Sequence, residues 1–383
     1  MSEQQQGRFL RYAPRTGARF DNKSELWSRL HLDLPLLSAL LVTAALGLLE
    51  LYSASGRDLD MTLKQLASYG LGFTAMVMLA QVPPRSYAAI SPWLYGIAFA
   101  LLLMVAVVGE TRLGAKRWLR IPGVTSLQPS EFMKLAMPMM MAWFLGARVL
   151  PPRLRVVGLA LLLIGPPVAL IAKQPDLGTG ILVASSGLFV LFLSGLPWWL
   201  MGVFLTLVGC LAPVAWHFMH DYQRQRILTL IDPESDPLGN GWNIIQSKTA
   251  IGSGGLFGKG WLEGSQSHLD FLPEGHTDFI IAAYSEEFGL IGVGILFTLY
   301  LVILGRSFYI AGQATDSYSR LLAGAITLSF FVYVFVNAGM VSGILPVVGV
   351  PLPFVSYGGT AVITLLSGFG MLMSIHTHRK LIG

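Results

Sequence analysis

Charged residues are scarce in this sequence. Only 12% of its 383 residues are Asp, Glu, Lys or Arg, about half the share that soluble domains usually carry. A disordered chain needs the opposite composition, with many charges and few apolar residues. The scarcity of charge therefore excludes both a soluble fold and a disordered chain.

Cysteine is equally scarce, and the histidines lack metal-site spacing. The single cysteine, Cys210, cannot form an intrachain disulfide or a cysteine cluster, and it leaves the redox compartment open. None of the seven histidines has zinc-like spacing with partner ligands. No metal-binding motif is predicted from these residue types.

Apolar residues take the place of the missing charges. They make up 54% of the chain, and the mean hydropathy is +0.62. Such a content would fill about ten membrane spans of ~20 residues each. We therefore predict an all-α polytopic membrane protein, a bundle of about ten transmembrane helices. The apolar runs are 34–54, 65–82, 88–108, 129–147, 154–172, 177–195, 197–219, 277–305, 320–344 and 352–375.

Basic residues indicate the orientation of this bundle. Residues 1–33 form a polar tail with six Lys or Arg side chains, which favours a cytoplasmic N-terminus. Ten spans then return the C-terminus to the same side. We predict a cytoplasmic tail followed by a single membrane domain, 34–383, with two long outer loops at 109–128 and 220–276.

Three acidic residues stand at the start of even-numbered spans. Glu131, Asp176 and Asp278 open spans four, six and eight, so all three are predicted near the outer face. Helix capping explains each one alone, whereas three on one face beside basic loops favour a site. Lys134 shares a helix face with Glu131. That pair marks either a functional site or an interfacial ion pair with Lys134 extended towards water.

A basic stretch lies in the first outer loop. Arg112, Lys116, Arg117 and Arg120 flank Trp118, and arginine offers bidentate geometry to a phosphate. The alternatives are a solvated loop and a contact with lipid head groups. The glycine-rich run 251–260 does not match a P-loop, because Ser253 and Gly260 occupy two of its defining positions. Permissive turns explain its glycines better.

Five stretches of the sequence form one set of motifs, namely Gln128–Lys134, Gln174–Thr179, the run from Asp232 to Asp278, Glu286–Leu290 and Pro351–Gly359. Together they resemble one family, SEDS (shape, elongation, division and sporulation). The resemblance covers almost the whole chain after residue 30, and the motifs within residues 258–268 resemble the elongation branch more than the division branch.

The resemblance implies an enzyme, a peptidoglycan glycosyltransferase of ten spans in the bacterial inner membrane. Its large periplasmic loop would lie between helices 7 and 8, and its active site would face the periplasm. The substrate implied is lipid II, a disaccharide-peptide on undecaprenyl pyrophosphate. A class B penicillin-binding protein (a transpeptidase) and other membrane proteins of the elongation complex are the implied partners, and no nucleic acid is expected.

The family pattern also implies residue roles. Its essential aspartate falls on Asp278, and its cavity Glu and Lys fall on Glu131 and Lys134. We expect Asp278 to act as general base for a sugar hydroxyl. Glu131, Lys134 and Asp176 would bind substrate, with Arg112, Lys116 or Arg117 near the pyrophosphate.

Three matters stay open at this point. A divalent cation, Mg²⁺ or Mn²⁺, could assist the pyrophosphate. A lipid II flippase is a second functional class, although a transporter should place charges near the bilayer midplane. A non-catalytic scaffold for the transpeptidase is the third, and it would not need Asp278.

Overall fold

Long apolar helices form most of the molecule. A computed structural model describes residues 30–112, 115–119, 128–219, 221–235, 240–265 and 275–378. The predictions for tail residues 1–29 and for Arg120 therefore concern residues outside the described ranges. The helices are α1 Leu34–Ala54, α2 Leu59–Ala80, α3 Pro84–Val108, α4 Pro129–Gly146, α5 Leu154–Lys173, α6 Leu177–Leu193, α7 Trp198–Phe218, α8 Asp221–Ile231, α9 Asn240–Gly254, α10 Ile280–Gly312, α11 Ser317–Val341 and α12 Gly359–Thr377, with a 3₁₀ turn at Pro233–Ser235.

The chain is a multi-pass membrane protein. Within the described ranges, six helices are long and apolar enough to cross a bilayer, namely α1, α3, α5, α10, α11 and α12. Helix α6 and the first part of α7 are apolar but shorter. A helix occupies the place of each predicted apolar run, although some bounds differ. Helix α2 begins at Leu59 rather than at residue 65, because Asp58 caps it by accepting from the amides of Asp60 and Met61.

A small β-hairpin interrupts the predicted all-helical pattern. Strand β1, Glu110–Arg112, pairs antiparallel with β2, Ala115–Trp118. This polar segment follows the end of α3, where the helix no longer supplies backbone partners. Pairing the two short strands satisfies their amide and carbonyl groups. The sequence contains no alternating apolar pattern that would have predicted them.

The last predicted run is only partly helical. Helix α12 starts at Gly359 rather than at residue 352, and residues 345–358, here called the pre-α12 segment, form irregular backbone. Most of the segment from Val350 to Ser356 is buried. Buried tyrosines from two helices hold it: Tyr69 donates to Phe354 O and Tyr300 to Pro353 O, each at 2.7 Å. Such backbone is tolerated at membrane depth only where protein surrounds it.

Helix α10 is broken at Gly289, where a glycine-rich segment replaces the missing helical bonds. The amides of Leu290 and Ile291 donate to the carbonyls of residues 255 and 256. In return, the amides of Lys259 and Gly260 donate to the carbonyls of residues 286 and 287. Both Gly258 and Gly289 have positive φ, at 80° and 63°, and each lies against the other's backbone. The interpretation of this run as permissive turns therefore agrees with the structure for residues 255–260, whereas residues 251–254 are the last residues of α9.

An ion pair and a ring contact bring the first and last described residues close together at one end of the bundle, here called the terminal end. Asp33 caps α1 and accepts from the Arg306 guanidinium at 2.6 and 3.0 Å. Close by, the rings of His31 and His378 stack with centroids 4.1 Å apart. Burial, and the neighbouring His378, lower the pKa of His31. The opposite end, where α4, α6 and α10 begin, is called the site end.

Candidate functional site

Glu131 and Lys134 form a nearly buried ion pair in the first turns of α4. The Lys134 Nζ lies 2.6 Å from Glu131 Oε1, and the two side chains are only 8% and 10% exposed. The second carboxylate oxygen, Glu131 Oε2, is buried and has no hydrogen-bond partner among the described residues. A buried acceptor without a partner is costly, so this oxygen is available to a ligand. The arrangement is not the solvent-facing pair of the alternative interpretation.

Asp176 both caps α6 and joins a polar contact between helices. Its Oδ1 accepts from the Thr179 amide at 3.2 Å, which is the predicted capping role. Its Oδ2 accepts from Gln128 Nε2 at 3.2 Å and lies 3.7 Å from Arg117 Nη1. The capping and site interpretations are thus compatible for this residue.

The predicted basic stretch contributes one described side chain to this region. Arg117 of β2 donates to the carbonyls of Gln174 and Pro175 at the end of α5, where a cation is stabilised by the helix dipole. Its guanidinium therefore ties the hairpin to the α5–α6 turn. Arg112 and Lys116 lie on the two strands of the hairpin, and their side chains are outside the described part of the structure.

Asp278 precedes α10 and lies against the pre-α12 segment. A Cβ atom placed on Gly349 would be 3.3 Å from Asp278 Oδ2, so the carboxylate sits over a residue without a side chain. The backbone just before Asp278 is held by two hydrogen bonds: Thr277 O accepts from Ser356 Oγ at 2.6 Å, and His276 O accepts from the Tyr357 amide at 3.0 Å. The loop before α10 and the pre-α12 segment are therefore one packed unit.

The same segment also touches the start of α6. A Cβ atom on Gly178 would lie 2.7 Å from Val348 O and 3.0 Å from Gly349 O. The pre-α12 segment thus runs between Gly178, two residues after Asp176, and Asp278. The structure brings the beginnings of α4, α6 and α10 to one end of the bundle, and this packing connects them.

Two polar residues of α11, which the sequence analysis missed, line this region. Tyr333 interacts electrostatically with Glu131, Lys134 and Asp176, and Lys134 Nζ lies 5.4 Å from its ring centre. One turn further on, Asn337 donates to Asp278 O and Val350 O. Their spacing of four residues in an otherwise apolar run was the available signal, because it places both on one helix face.

A second acidic group lies beside the break in α10. Lys259 Nζ and Ser265 Oγ contact Glu286 Oε1 at 2.5 and 2.8 Å, and Ser53 donates to Glu287. Glu50 of α1 is fully buried, and neither of its carboxyl oxygens has a hydrogen-bond partner in the described residues. Glu50 was not singled out from the sequence, because one acid near the end of an apolar run is typical of an interface.

The described residues do not fit a metal centre. No three His, Cys, Asp or Glu side chains in the described ranges lie close enough together to hold an ion. The two acids of α4 and α6 instead have cationic neighbours, Lys134 and Arg117. A divalent cation at a pyrophosphate therefore stays a prediction, and none of the chemistry proposed below passes through one.

Comparison with known proteins shows which family this chain resembles. The family model of cell cycle proteins that covers FtsW, RodA and SpoVE matches residues 30–381. The chain is 55% identical to the peptidoglycan glycosyltransferase MrdB of Escherichia coli K12, over 94% of this chain and 98% of that protein. It is 36% identical to MrdB of Helicobacter pylori, over 84% and 85%.

Solved structures agree with the sequence match. A chain from a peptidoglycan synthase complex, described for its coordination of polymerization and crosslinking, superposes with a TM-score of 0.80 at 32% identity. It covers 91% of this chain and 99% of that one. The rod shape determining protein RodA of Thermus thermophilus gives 0.69 at 29% identity, covering 91% and 98%. The chain therefore belongs to the FtsW/RodA/SpoVE family of cell cycle proteins.

Proposed function

We propose that this chain is a peptidoglycan glycosyltransferase that polymerises lipid II into glycan strands during cell elongation and maintenance of rod shape. The observation that carries the proposal is the 55% identity to a peptidoglycan glycosyltransferase over 94% of the chain. The structure adds a polar site of the required kind, at one end of a membrane bundle. A lipid-linked substrate needs a site at such a boundary between apolar and polar surroundings.

Asp278 is the proposed general base. In the transfer, a sugar hydroxyl attacks the anomeric carbon that bears the pyrophosphate. The hydroxyl O–H bond breaks as the glycosidic C–O bond forms, and undecaprenyl pyrophosphate leaves with the electrons of the old C–O bond. A carboxylate that accepts the hydroxyl proton contributes about 10²–10⁴ to the rate. Its position over Gly349, with the carbonyls of the two preceding residues hydrogen-bonded, supports this role.

Glu131 and Lys134 are the proposed substrate-orienting pair. The unpartnered Glu131 Oε2 can accept from a sugar hydroxyl or an amide of the substrate. Lys134 supplies a positive charge in a setting with little water, where electrostatic effects are stronger. Asp176 and Arg117 extend this polar surface, and Arg112 and Lys116 on the hairpin are proposed to attract the pyrophosphate.

The membrane orientation is also proposed. Ten passes would be made by α1 to α7 and α10 to α12, with α8 and α9 in the large periplasmic loop. The site end would face the periplasm, and both chain termini would be cytoplasmic. The basic tail 1–33 supports this orientation, as does the position of Asp33 and Arg306 at the opposite end.

Two partners follow from the proposal. The first is lipid II, the substrate. The second is a class B penicillin-binding protein in a complex with other elongation proteins, supported by the likeness to a chain of a complex described as coordinating polymerization and crosslinking. A divalent cation bound mainly by the pyrophosphate itself is compatible with the site and remains a proposal.

The test is purified protein, with and without its transpeptidase, incubated with fluorescently labelled lipid II. The wild type should form long glycan strands, and Asp278→Asn should form none while remaining folded and membrane-inserted. Translocation of the head group without polymer would favour a flippase, and neither activity would favour a scaffold. Full polymerisation by Asp278→Asn would exclude Asp278 as the base.

A further inference from the structure

We infer that Asn337 of α11 is a positioning residue, which holds Asp278 in register with the pre-α12 segment. The inference rests on the proposed role of Asp278. The amide nitrogen of Asn337 donates to Asp278 O at 2.8 Å and to Val350 O at 2.7 Å. One side-chain amino group thereby joins the loop that carries the carboxylate to the segment on which the carboxylate rests.

The orientation of this amide is fixed by its neighbours. Both partners are backbone carbonyls, which only accept hydrogen bonds, so the amino group must face them. The side chain is fully buried, and its Oδ1 has no hydrogen-bond partner in the described residues. An unpartnered buried acceptor needs an explanation. Two donated bonds are the gain that offsets it here.

No other residue type of this size can make both contacts. Leucine has a similar volume but no donor, and it would leave both carbonyls without this partner. An ionised aspartate has the same shape but presents a negative oxygen to the two carbonyls. Serine has one hydroxyl donor on a shorter side chain. The position therefore demands the two N–H groups of a carboxamide.

Helix α11 also relates the two parts of the site to each other. The ring of Tyr333 faces the Lys134 ammonium group. Asn337 lies four residues further along the chain, about 6 Å along the helix axis. Both project from the same face of a rigid helix. Asn337 thus sets the distance between the proposed base and the proposed substrate-orienting pair.

A change at Asn337 should affect the chemical step more than binding. Freed from the amide, the residue 278 backbone can shift relative to the substrate, and a misplacement of about 1 Å can lower a rate by about 10²-fold. The Glu131–Lys134 pair lies on α4 and does not depend on this amide. We therefore expect kcat to fall about 10- to 100-fold, with KM for lipid II almost unchanged.

The experiment compares Asn337→Leu, Asn337→Asp and Asn337→Gln with wild type, each purified with the transpeptidase. Turnover is measured against lipid II concentration and expressed per folded molecule. Leu and Asp should both lower kcat, and Gln, which keeps the amino group, should restore part of it. Asn243→Leu is the matched control, because Asn243 of α9 is also an asparagine with a buried, unpartnered Oδ1.

Several results would overturn the inference. One is a wild-type kcat in Asn337→Leu and Asn337→Asp. Another is a raised KM at constant kcat. A third is loss of activity that only follows loss of folded protein in every Asn337 variant, which would make the residue purely structural. Asp278→Asn distinguishes a failure of this inference from a failure of the proposed function. If Asp278→Asn retains activity, the assignment of Asp278 as the base is wrong, whatever the Asn337 variants show.

Discussion

Replacing Lys134 with methionine removes the cation from the buried pair on α4 and leaves Glu131 with an uncompensated charge. At 2.6 Å and an effective dielectric constant of ~20, the attraction amounts to about 6 kcal/mol. Part of that attraction only offsets the desolvation of both groups. Removal of one partner of a buried pair typically costs about 3–5 kcal/mol, and we expect a loss of this size in the free energy of unfolding.

The double variant Glu131→Gln/Lys134→Met separates stability from activity. With both charges gone, no buried charge is left unpaired, and neutral replacement of buried pairs is often harmless to stability. The double variant should therefore recover most of the lost free energy, measured by denaturing titration in detergent micelles. Its polymerisation of lipid II should stay low, because the groups proposed to orient the substrate are both missing.

A pair at the other end of the bundle provides the control. Arg306→Met leaves Asp33, which is only 2% exposed on its side chain, without its guanidinium partner. This variant should lose stability yet keep its turnover per folded molecule. The reasoning would be refuted if Lys134→Met unfolds like wild type. A double variant that regains full polymerisation would show that the α4 pair is structural alone.

Three further predictions concern single residues. Gly178→Ala places a Cβ 2.7 Å from Val348 O and should push the pre-α12 segment towards Asp278, which lowers turnover about tenfold or more. Gly180→Ala, whose Cβ meets its nearest neighbour at 3.8 Å, should leave turnover unchanged. Equal turnover in the two variants would contradict the proposed packing of the pre-α12 segment against α6. Gly258→Ala adds a Cβ at φ 80° against Glu287 O and should cost about 1–3 kcal/mol of stability in a thermal melt, whereas Gly252→Ala, with open space around it, should cost none. The pKa of His31 is lowered from 6.5 in the folded state, so the unfolded chain binds more protons and stability falls as the pH drops below about 6.5. Between pH 7.5 and 5.5 the melting temperature should therefore fall less in His31→Gln than in wild type. An identical fall in both proteins would show that His31 is not the source of this pH dependence.

Much of the helical framework could be predicted from the sequence, because the bilayer demands long apolar runs. The positions of Glu131, Asp176 and Asp278 close to helix starts could also be predicted, since charges are rare in such runs; their roles in a site stay predictions. The hydrogen bond from the Thr179 amide to Asp176 confirms the prediction that this acid caps the N-terminus of a helix. Their convergence at one end followed from the alternating direction of the helices.

Other parts of the site depend on contacts between distant segments. Asn337 and Val350 meet only because the pre-α12 segment folds back into the bundle. Pro346, Pro351 and Pro353 argue against a regular helix in this segment, but they do not predict which residues it contacts. The contacts of Arg117 were not predicted either, because its partners are backbone carbonyls of the α5–α6 turn, which carry no sequence signal. The carboxylate of Glu50 interacts electrostatically with those of Glu286 and Glu287, although more than 230 residues separate Glu50 from them along the chain.

The exchange of backbone bonds between the glycine-rich segment and α10 has a consequence for biosynthesis. Until the residues after Gly289 have been synthesised, the carbonyls of residues 255 and 256 lack their amide donors, Leu290 and Ile291. Until the glycine-rich segment is in place, the helical hydrogen bonds missing around Gly289 are not replaced. Neither half can satisfy these backbone groups before the other half is in place. The stretch from α9 to the middle of α10 should thus assemble in a single all-or-none event and open again only as a whole.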